Sequence, residues 1–268
     1  VTPTELNEKI SKTPFLFVVP RRHTAEVNPD LYPDPAAAGI LAAALERVAV
    51  ELAVDVNVVS DGWGTSVSAV STPRVPFRRP LSVVIGAKER VFLLCGRSRG
   101  IELISGSTTD LRDVVLAAVA WGEGRSLSEL HDLFPFLSSD ERARAHERGP
   151  AAVVDLQWRL LREQAAGKPG FPEFGLLVEA AYAEPRLRRL SAFSSHWTLG
   201  FSASTGHSSE AEVAIVPACN GRPYQVREFP HDGGVIGETE TADEAVALAT
   251  AHLPVGLGPA VAGPDDAL

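Results

Sequence analysis

The chain has 268 residues, 45% of them hydrophobic, which allows one large domain or two small ones. Its formal net charge of −9 argues against general affinity for DNA or RNA, whose phosphates it would repel. No stretch approaches the roughly 20 apolar residues of a membrane-crossing helix. Phe15–Val19, bracketed by Pro14 and Pro20, is too short for the apolar region of a signal peptide. The chain opens at Val1 and has no methionine, which a trimmed initiator or a valine start codon would explain. A soluble, cytoplasmic protein with no membrane partner is expected. Cys95 and Cys219 lie in or beside strand-like runs and read as buried free thiols of a reducing compartment. The absence of a CxxC pair excludes a zinc ribbon.

Residues 1–33 read as an N-terminal extension, because Pro3, Pro14, Pro20, Pro29 and Pro33 keep interrupting it. A first α+β unit follows over 34–137. Asp34 is placed to cap a helix with Pro35 at its first position, and Ile40, Leu41, Ala44, Leu45, Val48 and Leu52 follow at helical spacing. Strand-like runs cover about 65–71, 81–86 and 90–95. A hairpin turn around Gly96–Gly100 leads to a fourth run, Ile101–Ile104. Thr109 or Asp110 opens a second helix through Trp121, and Ser126 with Glu129 forms a capping-box pattern for a short third.

A helical middle is expected over 138–190, with segments at 139–148, 151–166 and 172–183 ended by Gly149-Pro150, Gly167 and Pro185. A second α+β unit covers 191–254. A Ser-rich turn gives way to a strand that starts at His196-Trp197, and further runs lie at 212–217, 224–229 and 235–236. Thr241 and Glu244 open the last helix with another capping box. Residues 255–268 read as a flexible tail.

The expected fold is therefore α+β: two small antiparallel sheets, each backed by helices and joined by the helical middle. Placing Thr109 on Thr241 also aligns Val114 with Val246, Leu116 with Leu248 and Ala117 with Ala249. A duplicated αβββα unit would produce this pattern, and so would similar composition alone.

Gly96-Arg97-Ser98-Arg99-Gly100 has the GxSxG spacing of a hydrolase nucleophile elbow. An elbow must lead from a strand into a helix, and Ile101–Ile104 reads as a strand, so hairpin chemistry is the better reading. No two of the seven histidines pair at i,i+4, so a metal site at His196, His207 and His231 has little support and no metal is expected. The densest chemistry is VEAAYAEPRLRRLSAFSSHWTLGFS. There Arg186, Arg188 and Arg189 precede His196 and Trp197, and guanidinium, imidazole and indole groups suit an anionic or aromatic ligand. The competing reading is a charge patch that offsets a helix C-terminus.

The strings SRGIELISGSTTDL, HERGPAAVVDLQWRLL, VEAAYAEPRLRRL, SHWTLGFS and GETETADEAVALATAHLP resemble an uncharacterised bacterial family of unknown-function domains. Its members carry the label natural-product biosynthesis protein. The likeness runs from about residue 31 to 263. It implies a biosynthetic context and carries no catalytic assignment.

Two function classes stand. One is an accessory or binding protein that holds an anionic small molecule or peptide intermediate at Arg186, Arg188, Arg189, His196, Trp197 and His231, with a pathway enzyme as a further partner. The other is an enzyme using Arg and His side chains of the second sheet region. The chain has no Walker, dinucleotide or zinc fingerprint, so no cofactor is expected.

Overall fold

In a computed structural model, residues 28–38, 41–60, 66–68, 75–206, 212–228 and 234–263 are described, and they form two antiparallel sheets with helices, an α+β fold. Helices α1 (Pro33–Ala38) and α2 (Leu41–Glu51) precede the first sheet. Its strands are β1 (Val59–Ser60), β2 (Ser66–Ser68), β3 (Ser82–Ile85), β4 (Phe92–Ser98) and β5 (Ile101–Thr108). Helices α3 (Leu111–Glu123) and α4 (Leu127–Leu133) follow, and β6 (Leu137–Ser138) returns to the free edge of β5. Asp34 does not cap α1, which starts one residue earlier at Pro33. Its carboxylate meets the Arg90 guanidinium at 3.0 Å.

Alternation along β4 turns Phe92, Leu94 and Gly96 inward. They meet Val114, Val115, Ala118 and Trp121 of α3 in the first core. A Cβ at Gly96 would stand 2.9 Å from Cζ2 of Trp121, so only glycine lets the indole lie this close to the strand. The Trp121 N–H donates to the Arg79 carbonyl at 2.8 Å, which satisfies its one polar group in the core.

The middle helices are α5 (Glu141–Arg148), α6 (Pro150–Ala166), α7 (Pro172–Ala183) and the single turn α8 (Pro185–Arg188). The second sheet is β7 (Ser191–Ser195), β8 (Thr198–Ser202), β9 (Val213–Val216), β10 (Tyr224–Arg227) and β11 (Val235–Thr239), with α9 (Ala242–His252) after it. Trp158 and Leu161 of α6, and Phe174, Leu177 and Val178 of α7, belong to the core of this second sheet.

Both sheets are meanders in sequence order, and each is followed by a helix that packs back on it. The described strands number more than the three of an αβββα unit, and β6 has no counterpart beside β11. The residue that caps α3 is Asp110, not Thr109, so the two halves align one residue away from the sequence-based register. With Asp110 on Thr241, buried Leu111, Val114, Val115 and Ala118 fall on buried Ala242, Ala245, Val246 and Ala249. Gly106 and Thr108 likewise fall on Gly237 and Thr239.

Three hairpins close through two-residue turns with positive φ at both positions: Arg99-Gly100 (50°, 76°), His196-Trp197 (48°, 69°) and Asn220-Gly221 (51°, 76°). This turn matches the twist of the flanking strands. The first turn carries the chain directly from β4 into β5, with Ser98 paired to Ile101. The second corrects the expected strand start. His196 and Trp197 are the turn itself, and the Ser-rich run before them is strand β7. The Ser191 and Ser194 hydroxyls donate to Gln157 and Gln164 of α6 at 2.9 and 3.2 Å. The third turn puts Cys219 at an exposed hairpin end, where a buried thiol was expected.

Residues 255–263, expected to begin a flexible tail, run back across the fold. The Ala260 and Val261 N–H groups donate to the carbonyls of Arg189 and Ala203 at 2.9 Å, and Thr205 N–H donates to the Val261 carbonyl at 3.0 Å. Arg99 donates to the Gly263 carbonyl, which ties the β4–β5 hairpin to this segment.

Candidate functional site

The arginines of the sequence cluster separate in space. Arg186 donates to the carbonyls of Thr250 (3.0 Å) and Pro254 (3.4 Å), at and just beyond the end of α9. Each of these carbonyls also accepts a backbone N–H, from Leu253 at 3.4 Å and Leu257 at 3.2 Å, so the guanidinium is a second donor at the negative end of the helix. Arg188 stands over Tyr182, 5.5 Å from the ring centroid. Arg189 is exposed. His196 is exposed in its turn, whereas Trp197 folds onto Phe171 and Phe174 with ring centroids 5.8 and 5.3 Å away. The Lys168 ammonium lies 5.7 Å from the Trp197 ring. His207 and His231 lie outside the described residues. Among the described residues, no three His, Cys, Asp or Glu side chains are grouped to hold a metal.

None of these candidates lines the groove between two of the middle helices, but Arg188 stands over a ring that does, Tyr182. Helix α6 begins at Gly149-Pro150 and ends at Gly167. Along one of its faces lie Asp155, Trp158, Arg159, Arg162, Glu163 and Ala166, three or four residues apart as neighbours on a helix must be. Glu179 and Tyr182 of α7 form the opposite wall, and the groove between them has a volume of about 500 Å³. That falls in the range of small-molecule sites, about 300–1,000 Å³.

Two aromatic rings back the groove. Trp158 is buried and donates its N–H to the Arg188 carbonyl at 3.0 Å, which fixes α8 against α6. The Tyr182 and Trp158 rings meet edge to face with centroids 5.5 Å apart, and the Arg162 guanidinium lies 4.6 Å from the Tyr182 centroid. A cation this near a ring face is drawn to its negative quadrupole.

The charges are mostly spent on one another. Arg159 pairs with Glu141 and, at 3.0 Å, with Glu163. Arg162 spans the two helices to Glu179 at 2.8 Å. The carboxylate hydrogen bonds hold both guanidiniums above the usual arginine pKa. Asp155 and Arg188 are left without an ion-pair partner among the described residues. None of the groove residues was marked from sequence as a site. The signal was present in the face Asp155, Arg159, Arg162, Glu163, but a charged helix face usually only meets water.

A second, smaller cavity of about 90 Å³ lies between Ser98, Arg99, His146, Gly149, Thr205 and Gly263, where the β4–β5 hairpin meets the start of α6. It has room for a few water molecules. Burial lowers the His146 pKa more than Asp140 raises it, which favours the neutral imidazole.

Residues 152–264 match the family model described as a family of unknown function, DUF6193. The matched segment runs from within α6 to the end of the described chain, so it contains the second sheet and all the groove residues from Asp155 to Tyr182. Comparison with curated proteins and with solved structures gives no match.

Proposed function

We propose that this protein is an accessory binding protein of bacterial natural-product biosynthesis, acting in the cytoplasm, and that it holds an anionic small molecule or peptide intermediate in the groove between α6 and α7. The observation that carries this is Arg188. It is a guanidinium with no carboxylate partner among the described residues, and it stands over the ring of Tyr182, one of the residues that line a groove of about 500 Å³. Such a group offers a carboxylate two parallel donors, and the ring beside it offers an apolar face. Titration calorimetry with N-acetyl-phenylalanine, an aromatic monoanion, tests the proposal. Binding by the wild type, weakened about tenfold or more in Arg188→Ala and Tyr182→Ala, supports it. Equal binding by the variants, or none by the wild type, refutes it.

One observation favours the second reading, an enzyme acting through its own side chains: Ser98 and a half-buried His146 share the smaller cavity. Against it, Ser98 is followed by a strand, so no helix N-terminus supports an oxyanion there. Labelling by an active-serine phosphonate that Ser98→Ala abolishes would establish it.

A further inference from the structure

We infer that the outer face of the second sheet carries a separate ligand site, where the Arg227 guanidinium takes the carboxylate of a small molecule bearing one such group. The inference does not rest on the groove. Leu199, Ile215 and Val226 belong to the core that this sheet shares with α6, α7 and α9. Strand alternation turns Gln225 and Arg227 to the opposite face. There Arg227 has no carboxylate within ion-pair distance among the described residues. Its Nη2 donates to the Gln225 side-chain oxygen at 2.8 Å, and the Gln225 amide nitrogen donates to Glu238 at 2.7 Å. Its Nε–H is buried and meets no acceptor.

A buried N–H without a partner is costly, and a native structure keeps one where something outside the chain completes it. Arginine stays charged, so the missing partner is an acceptor. The geometry names that acceptor. Nε and Nη2 lie side by side in the guanidinium plane, and a carboxylate meets such a pair with two parallel hydrogen bonds. Nη2 keeps a second hydrogen beyond the one given to Gln225. Gln225, itself tied to Glu238, holds the plane of the fork in advance. The pairing with β11 shifts register between Val226 and Arg227, and such bulges re-aim side chains beside sites. Arg227 as a residue is only half-buried, so a ligand approaches it from the outer side. Along one row of the sheet Arg227 pairs with Ala214, Ala214 with Gly200, and Gly200 with Phe193. The Phe193 ring lies across Gly200, with Cζ 2.6 Å from where a Cβ would stand. The body of the ligand thus meets apolar groups beside the charge. Glu238 adds a negative charge to the same relay, so one carboxylate is matched and a phosphate dianion is repelled.

The test is a titration of the full chain with benzoate, followed in proton–nitrogen correlation spectra. The Arg227 Nε–H signal, assigned through the backbone of the wild type, should move and saturate. The backbone amide of Ala214, the cross-strand partner of Arg227, reports the affinity in wild type and variant alike. By that signal Arg227→Lys, which keeps the charge and loses the fork, should bind about tenfold more weakly. Phosphate should leave both signals in place. Arg188→Ala should leave the Arg227 response unchanged, so a failure of the groove and a failure of this site are read separately. An Arg227 signal that stays still with benzoate or moves equally with phosphate overturns the inference, and so does undiminished affinity in Arg227→Lys.

Discussion

The Arg186 guanidinium donates to the Thr250 carbonyl at 3.0 Å across 64 residues of sequence, and so fastens α8 to the end of α9. Its neighbour Arg188 points instead to Tyr182 at the groove. Two residues of one basic cluster thus do different work: one adds a donor at a helix terminus and the other stands over an aromatic ring.

Arg186→Ala should therefore cost stability and leave groove binding alone. A partly solvated charged hydrogen bond is worth about 1.5 kcal/mol, the low end of its range. A lower urea midpoint with unchanged affinity for N-acetyl-phenylalanine is expected. An unchanged midpoint would show that water replaces the guanidinium at no cost.

Gly106 and Gly237 fall together when Asp110 is placed on Thr241, yet their replacement should differ. A Cβ at Gly106 would overlap the Phe136 carbonyl oxygen, which is backbone and cannot swing aside. At Gly237 it would stand 2.9 Å from Cδ2 of Leu248, the mobile end of a side chain. Gly106→Ala should cost about 1–3 kcal/mol, as overpacking does, and Gly237→Ala under about 1 kcal/mol. Denaturant unfolding measures both, and equal losses would contradict the close approach of β6.

The two thiols should react at very different rates. Burial first, then the neighbouring Glu102 carboxylate, pushes the Cys95 thiol up to about 11, whereas Cys219 is exposed. At pH 8 iodoacetamide should modify Cys219 quickly and Cys95 only after denaturation, because the thiolate is the reactive form. Mass mapping that finds Cys95 alkylated first would overturn this.

His146 gives stability a pH dependence of known sign. Its folded pKa lies below the ordinary 6.5, chiefly through burial and secondarily through Arg142, with Asp140 opposing. The unfolded chain therefore binds the proton more readily, and stability rises with pH in the window between the two values. The contribution is complete above 6.5 and is lost as pH falls through the folded pKa. His146→Gln should flatten the melting-temperature profile below pH 6.5 relative to the wild type. Parallel profiles would place the acid sensitivity elsewhere.

The sequence by itself determined most of the helices, because their signals are local. Ser126 with Glu129 and Thr241 with Glu244 are capping boxes within four residues, and both form. The ends at Gly149 and Gly167 follow from the same short-range chemistry. Strand β7 was hidden because serine favours turns until a distant partner takes its hydroxyl, which Gln157 and Gln164 of α6 do. The turn at His196-Trp197 was hidden for the same reason: neither residue favours positive φ, and the pairing of β7 with β8 imposes it. Only the tertiary structure decided the groove. Whether a guanidinium is paired with Glu179, bound to a helix end or left open depends on which helices lie side by side, and that is fixed by the apolar core beneath them and not by the charges themselves.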